Sequence, residues 1–253
     1  MVKRVLITAG GSGIGRAMAQ AFHDAGAQVW IVDIDAAALA SCPAIWERER
    51  LDVSDEPAIA ALFARVRSSW GGLDTLCANA GIAGPTGLIE DIELEAWRRC
   101  LSVNLEGAFL FAKHAIPLMK AQRSGAIILT SSTAGIFGYP NRGPYSASKW
   151  AVNGLMKTLA MELGAHGIRA NSICPGAVEG PRMEAVLAKE AAIKGTTRDA
   201  IYEGYGAGTS MRSFVTAQDI AAMAVFLASD AARLVSGQII AVDGHTENPD
   251  PKV

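Results

Sequence analysis

A tyrosine and a lysine stand four residues apart, at Tyr145 and Lys149, where a helix is expected to begin. At helical spacing their side chains project from one face, with Cβ atoms about 5–6 Å apart. A phenol has an ordinary pKa of about 10, and a nearby ammonium favours the phenolate and lowers that pKa toward neutral pH. The pair therefore suits general acid–base chemistry. A Tyr-x-x-x-Lys arises by chance in about one chain in eight of this composition. Other motifs in the sequence must therefore decide whether this pair is catalytic.

A glycine-rich segment follows the first apolar run of the chain. Residues 8–15 read TAGGSGIG, and an amphipathic helical pattern comes directly after them. Glycines let the backbone turn sharply and approach a pyrophosphate, which the amides and the dipole of a helix N-terminus then hold. The glycines do not follow the general GxGxxG spacing, so a simple tight turn is the alternative interpretation. The candidate phosphate-binding residues are Gly10, Ser12, Gly13, Ile14 and Gly15.

An acid ends the second apolar run, at Asp33, eighteen residues after Gly15. A carboxylate at this strand end can accept hydrogen bonds from an adenosine ribose diol, and its charge would repel a 2′-phosphate. Ile34 follows where a basic residue could have bound that phosphate, and the glycine-rich loop contains no Lys or Arg. We therefore expect NAD rather than NADP. The alternative for Asp33 is an ordinary turn residue.

The elements that must position these residues alternate along the whole chain. Short apolar runs are followed by helical stretches, which predicts βαβ units and a parallel sheet buried on both faces. Helices are predicted over 14–25, over 55–70 behind a Ser54 cap, and over 150–163. The expected fold is α/β, one Rossmann-type doubly wound domain over residues 1–253 with helices on both faces. The seven or so predicted strands are 5–8, 29–33, 48–52, 75–78, 127–131, 170–174 and 239–243.

Two stretches break this rhythm. Residues 176–213 are longer than an ordinary loop and rich in Ala, Lys and Glu, and the chain ends in a tail over 245–253. Long insertions in compact domains are usually lids or disordered segments. Residues 176–213 are therefore predicted to form a lid or a disordered segment.

Composition narrows the class of protein. The chain has 253 residues, 50% of them hydrophobic and 19% charged, with a net charge of -2, which is typical of a soluble domain with a large core. The apolar runs are far shorter than the roughly 20 residues that span a bilayer. No basic cluster marks a nucleic-acid binder. We expect neither a membrane nor a nucleic acid as a partner.

The spacing of cysteines and histidines further limits the class of protein and the kinds of site. Four cysteines are scattered without a CxxC pair, and the sequence opens without a leader-like apolar segment, which favours a reducing cytoplasm. The four histidines are isolated from one another, and this spacing predicts no metal site.

Six motifs follow one another along the chain in a fixed order. They are the Thr-x-x-x-x-Gly-x-Gly loop, Asn79-Ala80-Gly81, Asn104, Ser131-Ser132, Tyr145-Ser146-Ala147-Ser148-Lys149 and Pro175-Gly176. In order, spacing and total length the chain resembles the short-chain dehydrogenases/reductases of the classical type. The resemblance extends to about Gly244. It implies a Rossmann-type sheet, a nicotinamide cofactor and hydride transfer on an alcohol or carbonyl.

The resemblance implies roles for four side chains. Tyr145 would be the general acid/base that exchanges a proton with the substrate oxygen. Lys149 would lower the pKa of Tyr145 and bind the nicotinamide ribose. Ser132 would hydrogen-bond the substrate oxygen as charge develops, as a preorganised donor does in an oxyanion hole. Asn104 would anchor a water that links Lys149 to solvent.

The resemblance also extends the cofactor site. Asp52 and Val53 would contact adenine, and Asn79 and Gly81 would line the cofactor ribose. Val178 would bind the carboxamide through its backbone. Asn79 is expected to have a structural role as well, and Asp52 alone would pass for a turn residue.

Two positions depart from the family pattern. Ala9 stands where the family loop has its first glycine, which asks for an ordinary φ at this position. Gly180 stands where the family often has a threonine that binds the carboxamide, so that contact is expected to be lost or moved. Asp74 is expected to be structural.

The resemblance also implies a lid that selects the substrate, at about 182–214. Phe137, Arg142 and Arg182 lie close in sequence to the reactive residues and are candidate substrate contacts together with Ser132. If either arginine faces the pocket, an anionic substrate is favoured. The alternative is that both are surface arginines in exposed turns, because unpaired arginine is rarely buried.

These observations predict an NAD-dependent oxidoreductase that interconverts a secondary alcohol and a ketone. One alternative is an NADPH-dependent carbonyl reductase, such as a 3-oxoacyl reductase. Another is a non-catalytic dinucleotide-binding protein, which would not need all four of Asn104, Ser132, Tyr145 and Lys149. The family resemblance further implies a homotetramer or homodimer, and the sequence leaves the particular alcohol open.

Overall fold

Seven strands and nine helices alternate along residues 2–250, which are the residues that the computed structural model describes. The strands are β1 (Arg4–Thr8), β2 (Gln28–Asp33), β3 (Glu47–Arg50), β4 (Thr75–Ala78), β5 (Gly125–Thr130), β6 (Ile168–Pro175) and β7 (Ile239–Val242). The helices are α1 (Gly13–Asp24), α2 (Ala36–Ala40), α3 (Glu56–Trp70), α4 (Leu94–Leu101), α5 (Gly107–Gln122), α6 (Gly143–Leu163), α7 (Pro181–Lys194), α8 (Arg198–Ala207) and α9 (Ala217–Ala228). The strands form one parallel sheet in the order β3-β2-β1-β4-β5-β6-β7.

Helices cover both faces of this sheet. Successive side chains of a strand point to opposite faces, so Leu6 of β1 joins a core with Ile59 of α3 and Phe111 of α5. Its neighbour Ile7 joins a second core with Met18 of α1 and with side chains of α9. Burial on both faces explains why the inner strands β1, β2, β4 and β5 read as apolar runs rather than alternating ones. The predicted Rossmann-type, doubly wound fold is confirmed.

The strand order reverses beside β1, which pairs with β2 on one side and with β4 on the other. In open α/β sheets, ligands bind in the crevice beyond the carboxyl ends of the strands at this reversal. The strands that end there are β1 at Thr8, β4 at Ala78, β5 at Thr130 and β6 at Pro175. The glycine-rich loop, Asn79-Ala80-Gly81 and Ser131-Ser132 directly follow three of these ends.

Two helix starts differ from the prediction. The N-cap of α3 is Asp55, which accepts a hydrogen bond from the Ala58 amide, while the Ser54 hydroxyl instead donates to Asp52. Helix α6 begins at Gly143 rather than at residue 150, because Pro144 in its first turn has a backbone already suited to a helix start. Tyr145 therefore lies in the first turn of α6.

Ala9 corrects the expectation of an ordinary backbone at the glycine-rich loop. Its φ is 51°, in the left-handed region that glycine adopts without steric cost and alanine does not. The loop is held there from both sides. The Gly10 amide donates to the Val32 carbonyl at 3.1 Å, and a side chain at Gly15 would overlap the Ala9 carbonyl.

The predicted lid contains two helices, α7 and α8. The start of the predicted tail is not loose but packs on the turn after α8: the Met211 amide donates to the Gly244 carbonyl and the Ser210 amide to the His245 carbonyl. The Glu247 amide returns a hydrogen bond to the Gly208 carbonyl at 2.9 Å. Residues 251–253 of the predicted tail lie outside the described part of the chain.

Three further features concern residues 2–250 only. No helix in this range is long and apolar enough to cross a membrane. No three His, Cys, Asp or Glu side chains in it stand close enough together to hold a metal ion. The four cysteines are buried free thiols.

A half-buried ion pair ties the start of β1 to the start of β4. The Arg4 guanidinium donates to both carboxylate oxygens of Asp74, at 2.8 and 3.0 Å, and also to the Trp70 carbonyl and to Gln122. Burial alone would raise the pKa of Asp74, but the hydrogen bonds and charge of Arg4 outweigh it and hold that pKa below its ordinary value. Asp74 therefore has the structural role that the sequence suggests.

Asp74→Asn should lower the free energy of unfolding at pH 7 by about 2 kcal/mol, because it leaves Arg4 without its charged partner. A carboxyl whose folded pKa is depressed stabilises the protein above its unfolded pKa of about 3.9, and that stabilisation is lost as pH falls through the folded value. The difference between the two proteins should therefore shrink below about pH 4. Urea denaturation across pH measures this. Asp91→Asn, at an exposed position, is the control, and a pH-independent difference would contradict the account.

Candidate active site

A cavity of about 500 Å³ opens at the carboxyl ends of the central strands. At one end it is lined by Ser12, Gly13 and Ile14 from the glycine-rich loop and the start of α1. At the other end it is lined by residues of α6 and of the segment that follows β5, among them Ser132, Tyr145 and Lys149. Two groups of residues that are far apart in sequence thus share one cavity.

Lys149 is almost completely buried, with 3% of its surface exposed. Its ammonium donates to the Thr130 carbonyl, at the end of β5, over 2.7 Å. Burial lowers the pKa of Lys149, and the neighbouring Tyr145 acts in the opposite direction. A buried ammonium is costly unless it is hydrogen-bonded and paired, so this lysine favours a negative charge beside it.

Tyr145 is the group that can carry that charge. The Lys149 ammonium lies 5.8 Å from the centre of its ring. Burial alone would raise the pKa of the Tyr145 phenol, but the charges of Lys149 and Arg182 outweigh it, and the net shift is downward from the ordinary value. A partly buried tyrosine with a lowered pKa that lines a cavity is a candidate acid–base group.

The two serines after β5 have different tasks. The Ser131 hydroxyl donates to the Lys149 carbonyl at 2.9 Å and so fixes α6 against the sheet. The Ser132 hydroxyl accepts from the Ala134 amide and is one of the hydrogen-bonding groups that lower the pKa of Tyr145. Ser132 is therefore the serine that faces the phenol, as its place in the motif implies.

Asn104 lies in a π-helical turn, Ser102–Glu106, which joins α4 to α5. A turn of this kind inside a helical segment is frequent at functional sites. Its side-chain oxygen accepts from the Ile82 amide at 2.7 Å, and its side-chain nitrogen donates to the Ser148 hydroxyl at 2.9 Å. Ser148 in turn donates to the Tyr145 carbonyl. The Asn104 side chain therefore positions the first turn of α6.

The first turn of α1 is suited to a phosphate. Its first intrahelical bond runs from the Arg16 amide to the Ser12 carbonyl, so the amides of residues 13–15 precede the hydrogen-bonded ladder. The Ser12 side chain makes no capping hydrogen bond to this turn. Gly13 adopts a φ of 51°, with open space where a side chain would stand. These residues fit the pyrophosphate of a dinucleotide.

Asp33 lies at the end of β2, almost buried, beside the glycine-rich loop. Its two carboxylate oxygens accept from the Gly11 and Asp35 amides, each at 3.0 Å. A side chain at Gly11 would crowd both Ala38 and the Asp33 carboxylate. The loop therefore fixes the carboxylate where the ribose diol is expected.

The predicted adenine contacts are also structural. Asp52 accepts from the Ser54 hydroxyl and from the Arg99 guanidinium. Burial would raise the pKa of Asp52, but these hydrogen bonds hold it below its ordinary value. Val53 packs against Gly107 at the start of α5. Neither residue lines the central cavity, which leaves any adenine contact at its outer edge.

Asn79, Gly81 and Val178 all line the cavity. Asn79 also ties β1 to β5, because its amide groups bond with Thr8 and Thr130. Val178 and Val215 form an isolated parallel β-bridge, whose hydrogen bonds are made by the residues on either side of Val178. The Val215 amide donates to the Ala177 carbonyl, and the Glu179 amide donates to the Val215 carbonyl. This pattern leaves the amide and carbonyl of Val178 itself pointing away from that bridge, which fits the predicted carboxamide contact.

Gly180 has a φ of 136° at the N-cap of α7. A threonine, β-branched, would be strained in this conformation. The substitution relative to the family pattern therefore changes the local backbone as well as removing a hydroxyl.

The three predicted substrate residues differ in whether they line the cavity. Arg142 and Arg182 line the cavity, and their guanidinium carbons lie 4.8 and 5.9 Å from the centre of the Tyr145 ring. Phe137 does not line it. Its carbonyl instead accepts from the Trp150 indole, and Tyr139 takes a place in the wall. A substrate contact by Phe137 therefore stays a prediction, with Phe137 placed outside the lining of this cavity.

Two groups in the site were missed from the sequence. The Thr130 carbonyl holds Lys149, and a backbone carbonyl leaves no trace in residue types. Ser148 connects Asn104 to Tyr145 through its hydroxyl. Its place one residue before Lys149 inside a recognised motif is the signal that could have identified it.

Comparisons with known proteins agree with this geometry. A family model described as Enoyl-(Acyl carrier protein) reductase matches residues 8–245. Cis-4-hydroxycyclohexanecarboxylate dehydrogenase of Sinomonas cyclohexanicum is 38% identical over 247 residues, covering 94% of each chain. (+)-Borneol dehydrogenase 1 of Salvia officinalis is 39% identical over 253 residues, covering 96% of this chain and 92% of the relative. A crystal structure of NAD+-bound xylitol dehydrogenase superposes with a TM-score of 0.92 at 27% identity, covering 96% of this chain and 98% of that one.

The chain belongs to the short-chain dehydrogenase/reductase family. It is an NAD(P)-dependent oxidoreductase that acts on alcohols or ketones.

The ionisation of Tyr145 can be measured directly. Tyrosinate absorbance, taken as the difference between the wild-type protein and Tyr145→Phe, should titrate with a midpoint below about pH 10. Lys149→Gln should raise that midpoint, because it removes the charge that most favours the phenolate. Lys157→Gln changes a lysine of the same helix that bonds to the Gly237 carbonyl, and it should leave the midpoint unchanged. Equal midpoints in wild type and Lys149→Gln would refute the coupling.

Proposed function

We propose that this protein is an NAD-dependent dehydrogenase that interconverts a secondary alcohol and a ketone. The observation that carries the proposal is one cavity with a phosphate-suited helix start at one end and Tyr145, Lys149 and Ser132 at the other. The two named relatives are both dehydrogenases, and the name of the Sinomonas protein includes a hydroxyl-bearing ring compound. Residues 182–214 would form the lid over this cavity.

The proton step is assigned to Tyr145. In oxidation, its phenolate takes the proton of the substrate hydroxyl, while Ser132 hydrogen-bonds the same oxygen. The substrate C–H bond breaks with its electron pair, and the carbon becomes a carbonyl carbon. A bound nicotinamide ring supplies the acceptor for that pair and the hydrogen. Lys149 lowers the pKa of Tyr145 and so favours release of the accepted proton to solvent before the next turnover. In reduction each of these movements runs in reverse.

Cofactor preference is assigned to Asp33. Its carboxylate is held by two backbone amides, so it cannot turn away from a 2′-phosphate without breaking them. This supports NAD and disfavours the alternative of an NADPH-dependent carbonyl reductase. The joint presence of Asn104, Ser132, Tyr145 and Lys149 around one cavity disfavours a protein that only binds a dinucleotide.

We also propose a homotetramer or homodimer. Phe109 of α5 and Trp150 and Met161 of α6 are large apolar side chains that are 46%, 53% and 86% exposed. Neighbouring helices that both expose such residues suit a twofold interface. Sedimentation should give a multiple of the 26.5 kDa chain mass, and a mass of one chain would contradict the proposal.

Tyr145→Phe should reduce turnover at least about 100-fold, because the phenol oxygen that exchanges the proton is removed. NAD binding, measured by calorimetry, should persist. Tyr202→Phe is a matched control, since Tyr202 stacks on Phe214. Near-normal turnover in Tyr145→Phe would refute its role.

Asp33→Ala should lower the ratio of kcat/KM with NAD to kcat/KM with NADP by about tenfold or more, because the charge that repels a 2′-phosphate is removed. Asp35→Ala, which removes the neighbouring acid that caps α2, is the comparison. An unchanged ratio in Asp33→Ala would place cofactor specificity elsewhere.

A further inference from the structure

Two arginines flank the reactive tyrosine without an acid to pair with. Arg142 precedes α6 and Arg182 lies in the first turn of α7, so they come from opposite sides of the cavity. Their guanidinium carbons lie 4.8 and 5.9 Å from the centre of the Tyr145 ring. Within residues 2–250, no ion pair includes either arginine.

The hydrogen-bonding capacity of these arginines is mostly unused. A guanidinium has five N–H donors. The Arg142 Nε atom is buried and has no partner among the described residues. Arg182 makes one hydrogen bond from its guanidinium, to the Gly81 carbonyl at 3.1 Å. Buried donors without partners, such as the Arg142 Nε atom, are rare in proteins and call for a ligand, water or ion. Arg182 is exposed, and its remaining donors are accessible to a ligand.

The charge balance of the cavity favours an anion at this end. Lys149, Arg142 and Arg182 contribute three cationic side chains to the described lining, against the single acid Glu179. A cleft lined by one sign of charge concentrates ligands of the opposite sign. The dinucleotide phosphates are expected at the other end, at Ser12 and Gly13, so they do not account for this pair.

The remaining wall around the arginines is largely apolar. Met183 and Val186 of α7 line it, together with Tyr139 and Tyr205. The hydroxyls of both tyrosines are already engaged, Tyr139 with Thr133 and Tyr205 with the Glu190 carboxylate. They therefore present their rings, rather than free hydroxyls, to a ligand.

We propose that Arg142 and Arg182 bind the carboxylate of a hydroxy-acid substrate, whose secondary hydroxyl lies against Tyr145 and whose body is apolar. The inference rests on the proposed alcohol–ketone chemistry and adds the substrate class to it. Guanidinium groups bind carboxylates through paired, charge-assisted hydrogen bonds, which fix the orientation of the ligand as well as its affinity. Two such groups beside the reacting centre would orient one face of the substrate toward the cofactor.

The test compares matched acids and amides. The probes are 3-hydroxybutyrate and cis-4-hydroxycyclohexanecarboxylate, each beside its carboxamide, which has nearly the same shape without the charge. Wild-type kcat/KM with NAD should favour one of the acids over its amide. That acid-to-amide ratio should fall at least about 30-fold in Arg142→Gln and in Arg182→Gln. Arg67→Gln, at an exposed arginine of α3, should leave the ratio unchanged.

An acid-to-amide ratio of kcat/KM that is unchanged in both arginine variants would overturn the inference. In that case, turnover of the amides that depends on Tyr145 would show that the alcohol–ketone proposal still stands. An equal loss of NAD affinity in these variants, with the ratio unchanged, would assign the arginines to the cofactor instead. If none of the four probes turns over, calorimetry on the protein–NAD complex decides between the outcomes. Cyclohexanecarboxylate should bind at least about tenfold more tightly than cyclohexanecarboxamide, and equal binding would overturn the inference.

Discussion

A lysine ammonium buried at the end of a strand is the constraint on which the rest of this site depends. Lys149 is held by the Thr130 carbonyl, a neutral acceptor, so its charge is hydrogen-bonded but not neutralised by that contact. In a medium of low polarity such a charge strongly favours a nearby anion. Tyr145, one helical turn away, is the group that can supply it. The acid–base character of the site follows from this pairing, because the phenol is ionised more readily than an isolated one.

Hydrogen bonds between the strand ends, the π-helical turn and α6 fix the positions of Lys149 and Tyr145. The parallel sheet brings the ends of β1, β4 and β5 to one edge, and Asn79 bonds across all three through Thr8 and Thr130. The π-helical turn then aims Asn104 at Ile82 and Ser148, which fixes the first turn of α6 where Tyr145 lies. Each of these contacts uses backbone or short polar side chains, so hydrogen bonds from the segment after β4 and from the π-helical turn hold the reactive groups in place.

The sequence predicted elements whose pattern extends over several residues, such as the strands. It did not predict features of single residues that depend on tertiary contacts, such as the backbone of Ala9. Continuous apolar runs mark strands that are buried on both faces, such as β1, β2 and β5. All seven strands of the sheet were predicted within a few residues, although β3 at the sheet edge reads ERER and is mostly exposed. The helix start expected at Tyr145 and Lys149 lies close to the observed start of α6 at Gly143, whereas the separately predicted helix range of 150–163 begins too late. Ala9 was predicted with an ordinary φ, but contacts from β2 and α1 impose a left-handed one. The direction in which Arg142 points depends on tertiary packing and could not be predicted from its sequence neighbours.

The central claim is that the ionisation of Tyr145, set by Lys149, controls proton transfer to and from the substrate. The direct test is the pH dependence of kcat/KM for the alcohol at saturating NAD, compared with the pH at which the Tyr145 phenol ionises in the protein–NAD complex. The profile of kcat/KM reports groups in the enzyme form that binds the alcohol, which here is that complex. We expect the rate to rise with pH to a plateau whose midpoint coincides with the spectroscopic midpoint of Tyr145, and both midpoints should move upward together in Lys149→Gln. A rate midpoint that stays fixed while the phenol midpoint moves would contradict the account.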